Sequence, residues 1–369
     1  MNQPTKGRYE GRFAAPKQPK LRRISGGVLA LLILVLGLSR LGAEAFKLLT
    51  YADLFISGRR MLIYGEIQKT DLSFPEVLPN EGVLDPDDGT TVHYNGHSYR
   101  LNPDLTTVLV LGIDQHIEET EIIGTGGQSD VVLLVGIDTK TGRTTVLNIS
   151  RETYAQVDVY SVSGINTGTE PLQLTLAYAY GDGKHGSCQN ALRSVSRLLY
   201  GLPISSYLAL DMDGISALNE AVGGVTVRAM DDLELPNGTK ISAGESVELH
   251  GRELDLYIRS RPAGIDSNAK RMARQQQYIT EFSKLVIDRS RDSLSFPVEL
   301  FSSVAPYVVT NLDIPDVTFL SSTFLSHGAD FRLRNLEGSF GMLGKSAVFY
   351  PDETDLFEAV LELFYVQID

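Results

Sequence analysis

Three side chains pose the first chemical question. Asp114 follows the run LTTVLVLGI, Asp130 precedes VVLLVGI, and Arg151 follows TTVLNIS. The three runs are short, apolar and β-branched, bounded by Gly, Asp, Ser or Thr. They read as sheet-core strands over Thr106–Gly112, Val131–Ile137 and Thr144–Ile149. Asp138 to Arg143 (DTKTGR) is a turn-rich link of hairpin length. Pairing about a turn centred near Thr141 sets Asp130 opposite Arg151–Glu152. If the first strand lies antiparallel beside the second, Asp114 joins them. Two carboxylates and a guanidinium at one sheet edge suit a divalent ion and a phosphate.

A second cationic cluster lies further on. Tyr257-Ile258-Arg259-Ser260-Arg261 reads as a strand edge, and a long helix begins near Asn268. Arg271, Arg274, Gln275 and Tyr278 share a polar stripe of that helix, and Met272, Ile279, Phe282 and Val286 an apolar one. From Arg259 to Arg274 there are five basic residues against Asp266 alone. Such a run is usually a solvated, salt-bridged face. Here few carboxylates lie nearby in sequence, and arginine suits a bidentate grip on phosphate, so the two readings stand even.

The rest of the chain supplies the frame. The 369 residues allow two average domains, or one large α/β domain with extensions. A net charge of −13 argues against nucleic acid as the main partner. The single cysteine, Cys188, rules out an internal disulfide framework and sits on the apolar face of a helix capped by Ser187. That helix ends at Gly201. A strand over Tyr207–Leu210, a helix to Val222 stopped by Gly223-Gly224, and a strand over Val225–Arg228 follow. Residues 154–184 read as less regular. Residues 289–369 alternate strand-like and loop runs and close with a helix after Pro351-Asp352, completing the same domain. His93 and His97 have the spacing of a metal pair on a helix. Asn95-Gly96 between them is a hairpin signal, which places the two imidazoles across a turn instead. Neither GxSxG nor HExxH is present.

Residues 1–23 carry seven basic side chains against Glu10, and Ile24–Ser39 is free of charge. Sixteen helical residues cover about 24 Å, so Arg23 and Arg40 would snorkel across a thinned bilayer. An uncleaved anchor over 24–43, with residues 1–23 cytoplasmic and the remainder outside, is preferred to a signal peptide cut after Ala43-Glu44-Ala45. Residues 44–100 then form a linker and hairpin, and 101–369 the main folded domain.

In order along the chain, VLVLGID, SDVVLLVGIDTKTG, NISRETY, LTLAYAYGDG, LNEAVGGVTV, LDLYIRSR and NAKRMARQQQYI resemble the motifs of the LytR–CpsA–Psr family of membrane-anchored cell-envelope phosphotransferases. The resemblance covers about residues 105–285. It implies a three-layer α/β/α sandwich with a central mixed sheet, an apolar tunnel for a polyprenyl chain, and a pyrophosphate at the tunnel mouth. The activity implied is transfer of a glycopolymer from a polyprenyl-pyrophosphate carrier to peptidoglycan, at a membrane lipid surface, with Mg²⁺ or Mn²⁺. Residue by residue, Asp114 and Asp130 match the carboxylates near the metal. Arg151, Arg259, Arg261 and Arg271 match the phosphate-binding arginines, and Gln275 their polar partner. Asp130, Arg151, Arg259 and Arg271 are the expected catalytic set. The chain departs from the family pattern at Gln115-His116, where an arginine is frequent, at Glu152 in place of aspartate, and at Asn268 in place of aspartate. Two other readings stand beside this one: a non-catalytic envelope regulator that binds the carrier, which the departures favour, or a carrier pyrophosphatase.

Overall fold

The computed structural model describes residues 72–369 apart from 76–77, 86–89, 116–122, 125, 235–237, 239, 261–266, 294–295, 328–330 and 345. The anchor expected over 24–43 lies outside the described residues. Among those described, no helix is long and apolar enough to cross a membrane.

A six-stranded mixed sheet forms the centre. Its three middle strands are Leu105–Ile113, Ser129–Asp138 and Thr144–Ile149, paired antiparallel in succession. Ser206–Leu210 runs parallel to the first of them and carries Val308–Thr310 outside it. Phe331–Asn335 lies parallel to Thr144–Ile149 on the opposite edge. The Asp138–Arg143 turn forms as its sequence predicts. Asp138 Oδ1 accepts from the amides of Lys140 and Thr141, both at 2.9 Å, and Oδ2 accepts from Asn102 Nδ2 at 3.0 Å.

Alternation along the strands feeds two cores, one on each face of the sheet. Val108, Val110, Leu133 and Val135 pack with the helices Met212–Ala221, Gly251–Arg259, Ser267–Asp292, Phe296–Val304 and Ile314–Ser326. Leu109, Leu111, Val132 and Leu134 pack with the helices Leu176–Ala179, His185–Leu198 and Glu353–Phe364. The result is an α/β/α arrangement around a mixed sheet.

Several local expectations need correction. Tyr257–Ser260 is not a strand edge. Gly251–Arg259 is a helix because Leu254, Tyr257 and Ile258 recur at helical spacing and are all buried on one side. Residues 154–184 are regular over much of their length: Tyr154–Tyr160 and Asn166–Gln173 form a long antiparallel hairpin. Among the described residues, Phe296–Val304 and Ile314–Ser326 are helices where strands and loops were expected. Ser187 does not cap its helix, which starts at His185. Asp182 takes the first-turn amides of Gly186 and Ser187, at 3.1 and 2.9 Å, and the Ser187 hydroxyl donates inward to the Tyr178 carbonyl. The Asn95-Gly96 turn does form, with φ of 50° and 80°, and Tyr94 pairs with His97 across it.

Candidate active site at the end of the central sheet

Asp130 owes its place to an irregularity in the ladder. Gly112 pairs with Val131 and Ile113 with Ser129, so Asp130 is the extra residue of a β-bulge against the first strand. Bulges re-aim a side chain and raise the local twist, and they recur next to active sites. On the other side of the same strand Val132 pairs with Ile149. Two residues further, that register sets Asp130 opposite Arg151, and their side chains meet: Arg151 Nη1 donates to Asp130 Oδ1. The pairing of these two residues expected from turn length and strand period is thus found in the fold.

Glu152 holds the other side of the guanidinium. Arg151 Nε donates to Glu152 Oε1 at 2.9 Å, and Ser150 Oγ donates to Glu152 Oε2 at 2.9 Å. Arg151, Glu152 and Asp130 keep 22%, 16% and 31% of their side-chain exposure, so the cluster is partly desolvated but open to a ligand. Burial alone would lower the Arg151 pKa; the bond to Glu152 and the charges of Asp130 and Glu152 outweigh it and raise the value. Burial likewise pushes Glu152 up, while the bonds from Arg151 and Ser150 overcome this and bring it below its ordinary value. Glu152 therefore acts as the clamp that orients Arg151, and its longer arm lets Nε be held while the rest of the guanidinium faces Asp130.

The backbone behind this cluster is stitched to the segment after the long hairpin. The Thr175 amide donates to the Arg151 carbonyl at 2.9 Å, and the Leu174 amide to the Thr153 carbonyl at 2.8 Å. Asp114 is brought to the same sheet end. Its Oδ1 accepts from the Gln128 amide at 2.6 Å, and its own amide donates to the Gln128 carbonyl at 3.0 Å. Asp114 and Gln115 are exposed. The approach of this loop depends on glycine: a Cβ on Gly126 would lie 2.3 Å from the Cα of Gly183.

The remaining candidates sit on the helix pair Gly251–Arg259 and Ser267–Asp292. Arg259 is exposed and reaches Asp255 at 3.8 Å. Arg271 is partly buried on the second helix. Gln275 donates to the Ile258 carbonyl at 3.0 Å. Arg261 and Asp266 lie outside the described residues, as does the Asn268 side chain. Arg274 and Tyr278 do not belong to a solvated stripe, since both are buried. Arg274 pairs with Asp231, 43 residues away in sequence, which is why its own segment shows no partner for it. The two groups of candidates share one apolar layer: Val131, next to Asp130, packs against the core that includes Tyr257, Ile258 and Tyr278.

Among the described residues no three His, Cys, Asp or Glu side chains are grouped to hold an ion. Asp114 and Asp130 fit a different mode, in which Mg²⁺ takes one or two carboxylates and completes its shell with substrate phosphate and water.

Comparison with known proteins adds to this geometry. The model of the LytR_cpsA_psr family matches residues 85–362. A protein of Streptococcus mutans named biofilm regulatory protein A is 27% identical over 218 residues, which is 58% of this chain and 51% of that protein. A protein of Oceanobacillus iheyensis named polyisoprenyl-teichoic acid–peptidoglycan teichoic acid transferase TagU is 25% identical over 287 residues, 77% of this chain and 81% of the relative. This chain thus spans about half of the first relative and four fifths of the second. The fold is similar to the crystal structure of a Streptococcus agalactiae protein, with a TM-score of 0.55 at 21% identity over 70% of this chain and 86% of the other.

Proposed function

The chain belongs to the LytR–CpsA–Psr family, and on that premise we propose that it transfers a glycopolymer from a polyprenyl-pyrophosphate carrier to peptidoglycan. The relative named as a teichoic acid transferase, matched over most of its length, supports the substrate class. The observation that carries the chemistry is the Arg151 guanidinium clamped by Glu152 and aimed at Asp130 on a β-bulge.

In this reading the acceptor hydroxyl attacks the phosphorus that bears the glycopolymer. A new oxygen–phosphorus bond forms, the P–O–P bond of the carrier breaks, and prenyl monophosphate leaves. Arg151 neutralises the phosphoryl oxygens, because catalysis of phosphoryl transfer is mostly positioning and charge compensation. The arriving phosphate competes with Asp130 for the guanidinium. Asp130, released from its ion pair, accepts the hydroxyl proton. Arg259, Arg261 and Arg271 bind the pyrophosphate from the helix side, with Gln275 as their polar partner. Asp114 and Asp130 would hold Mg²⁺ or Mn²⁺ together with the substrate oxygens; when bound, the ion supplies further charge neutralisation. The apolar prenyl chain lies along the sheet face that these helices share. An anchor over 24–43 would keep the catalytic part outside the cell beside its lipid substrate.

The test compares wild type with Asp130→Asn and Arg151→Ala, each as the full chain in detergent. Both variants should lose transfer by a factor of about 100 or more, the scale seen when a positioned charge or proton acceptor is removed. Transfer at the wild-type rate by either one would overturn the site assignment.

A further inference from the structure

The Gly251–Arg259 helix ends in the segment that carries Arg259, and its last carbonyls are held by side chains of the next helix. Arg274 donates from Nε to the Tyr257 carbonyl at 2.7 Å and from Nη2 to the Ser260 carbonyl. Its Nη1 donates to Asp231 Oδ2 at 2.7 Å, and its guanidinium carbon lies 5.9 Å from the Tyr257 ring centroid. Gln275 takes the carbonyl between, that of Ile258. Lys270 Nζ adds a second cation 3.4 Å from Asp231 Oδ1.

A fully buried guanidinium is costly unless its donors are matched, and Arg274 is 0% exposed. The partners here are one carboxylate and two helix-terminal carbonyls, where the helix dipole favours a cation. Only the planar fork of arginine reaches all three; a lysine ammonium is a single point of contact. What Arg274 grips is the backbone on either side of Arg259. The apolar face of the same helix is already held by Leu254, Tyr257 and Ile258. Arg259 itself has little local restraint: its ion pair with Asp255 is long and exposed, a kind worth little.

We propose that Arg274 is a positioning residue for substrate phosphate: by fixing the carbonyls of Tyr257 and Ser260 it sets the direction from which Arg259 meets the anion. This inference rests on the reading of Arg259 as a phosphate ligand. Arg274 touches no substrate and acts through the backbone of its neighbour.

The test measures binding of farnesyl pyrophosphate and of farnesol to the full chain in detergent with Mg²⁺. The proteins are wild type, Arg259→Ala, Arg274→Lys and the double variant. Arg274→Lys keeps a cation beside Asp231 but not the fork. Each single change should weaken farnesyl pyrophosphate binding about tenfold, the equivalent of one charge-assisted hydrogen bond. The double variant should be no weaker than Arg259→Ala alone, and farnesol binding should not change. Wild-type affinity in Arg259→Ala would overturn the phosphate reading itself. A loss in Arg259→Ala with wild-type affinity in Arg274→Lys would overturn the positioning role alone. An equal loss of farnesol binding in Arg274→Lys would make it a residue of general packing. If Arg274→Lys does not fold, Asp231→Asn, which removes the buried counter-charge, replaces it in both binding measurements. A selective loss of farnesyl pyrophosphate binding then supports the positioning role, and wild-type affinity or an equal loss of farnesol binding overturns it.

Discussion

At the sheet end a single guanidinium is shared by two carboxylates, and that sharing sets what each residue does. Glu152 is the less exposed of the two, held below its ordinary pKa by Arg151 and Ser150 against the opposing effect of burial. A carboxylate whose folded pKa is depressed stabilises the protein above its unfolded value of about 4.3, and the contribution is lost as pH falls through the folded value. Glu152→Gln should therefore lower the melting temperature near neutral pH, with the difference shrinking as pH drops below about 4. Melting curves from pH 7 to pH 2 read this directly; a constant difference would mean that Glu152 does not serve as the counter-charge of Arg151. Arg151→Ala should cost about 1–3 kcal/mol of stability as well as activity, because it leaves two neighbouring carboxylates without their common partner. Arg151 thus contributes to the fold, apart from the phosphate binding proposed for it. The pairing of Asp130 with Arg151 is legible from turn length and strand period alone. The clamp by Glu152 is not, since the change from aspartate to glutamate in the motif signals only a longer arm.

Among the elements, the loop after the first strand and the Gly251–Arg259 helix position the two groups of candidate residues. The loop meets the Gly181-Asp182-Gly183 turn through bare backbone, and the Gly124 amide donates to the Gly181 carbonyl at 3.0 Å. Gly126→Ala would press a methyl group into the Cα of Gly183, a contact that no side-chain rotation relieves. It should cost about 1–3 kcal/mol and displace Gln128, and with it the Asp114 carboxylate it holds. A thermal melt and a transfer assay check both effects; a variant unchanged in both would show that the loop shifts freely. The helix is where sequence pattern misleads. Tyr257-Ile258 is a β-prone pair that runs straight into the polar Arg-Ser-Arg, and only the more distant Leu254 reveals the helical period. Arg274 looks solvated in sequence for a related reason: its partner Asp231 is distant along the chain, and pairing between elements leaves no local trace. The three central strands, by contrast, are marked by continuous apolar runs, and Thr144–Ile149 begins and ends where its residues indicate.

For the whole molecule, the alternation of Val108 and Val110 with Leu109 and Leu111 builds two cores and dictates helices on both faces. The strand Phe331–Asn335 and the terminal Tyr365–Gln367, paired with His97–Leu101, tie the C-terminal region into the same body. At this scale the expectation concerns the cell. Full-length chain should fractionate with membranes, and deletion of residues 24–39 should release it; release of the intact chain in high salt would contradict a spanning anchor. The central claim, that the Asp130–Arg151 site joins a lipid-linked glycopolymer to peptidoglycan, is tested most directly by product mass. Full-length protein in detergent is mixed with a short polyprenyl-pyrophosphate glycan and a peptidoglycan oligomer, with Mg²⁺ or with EDTA. A phosphodiester-linked adduct is expected with Mg²⁺, none with EDTA, and none from Arg151→Ala. Free sugar phosphate without adduct, or an adduct made equally well by Arg151→Ala, would contradict the claim.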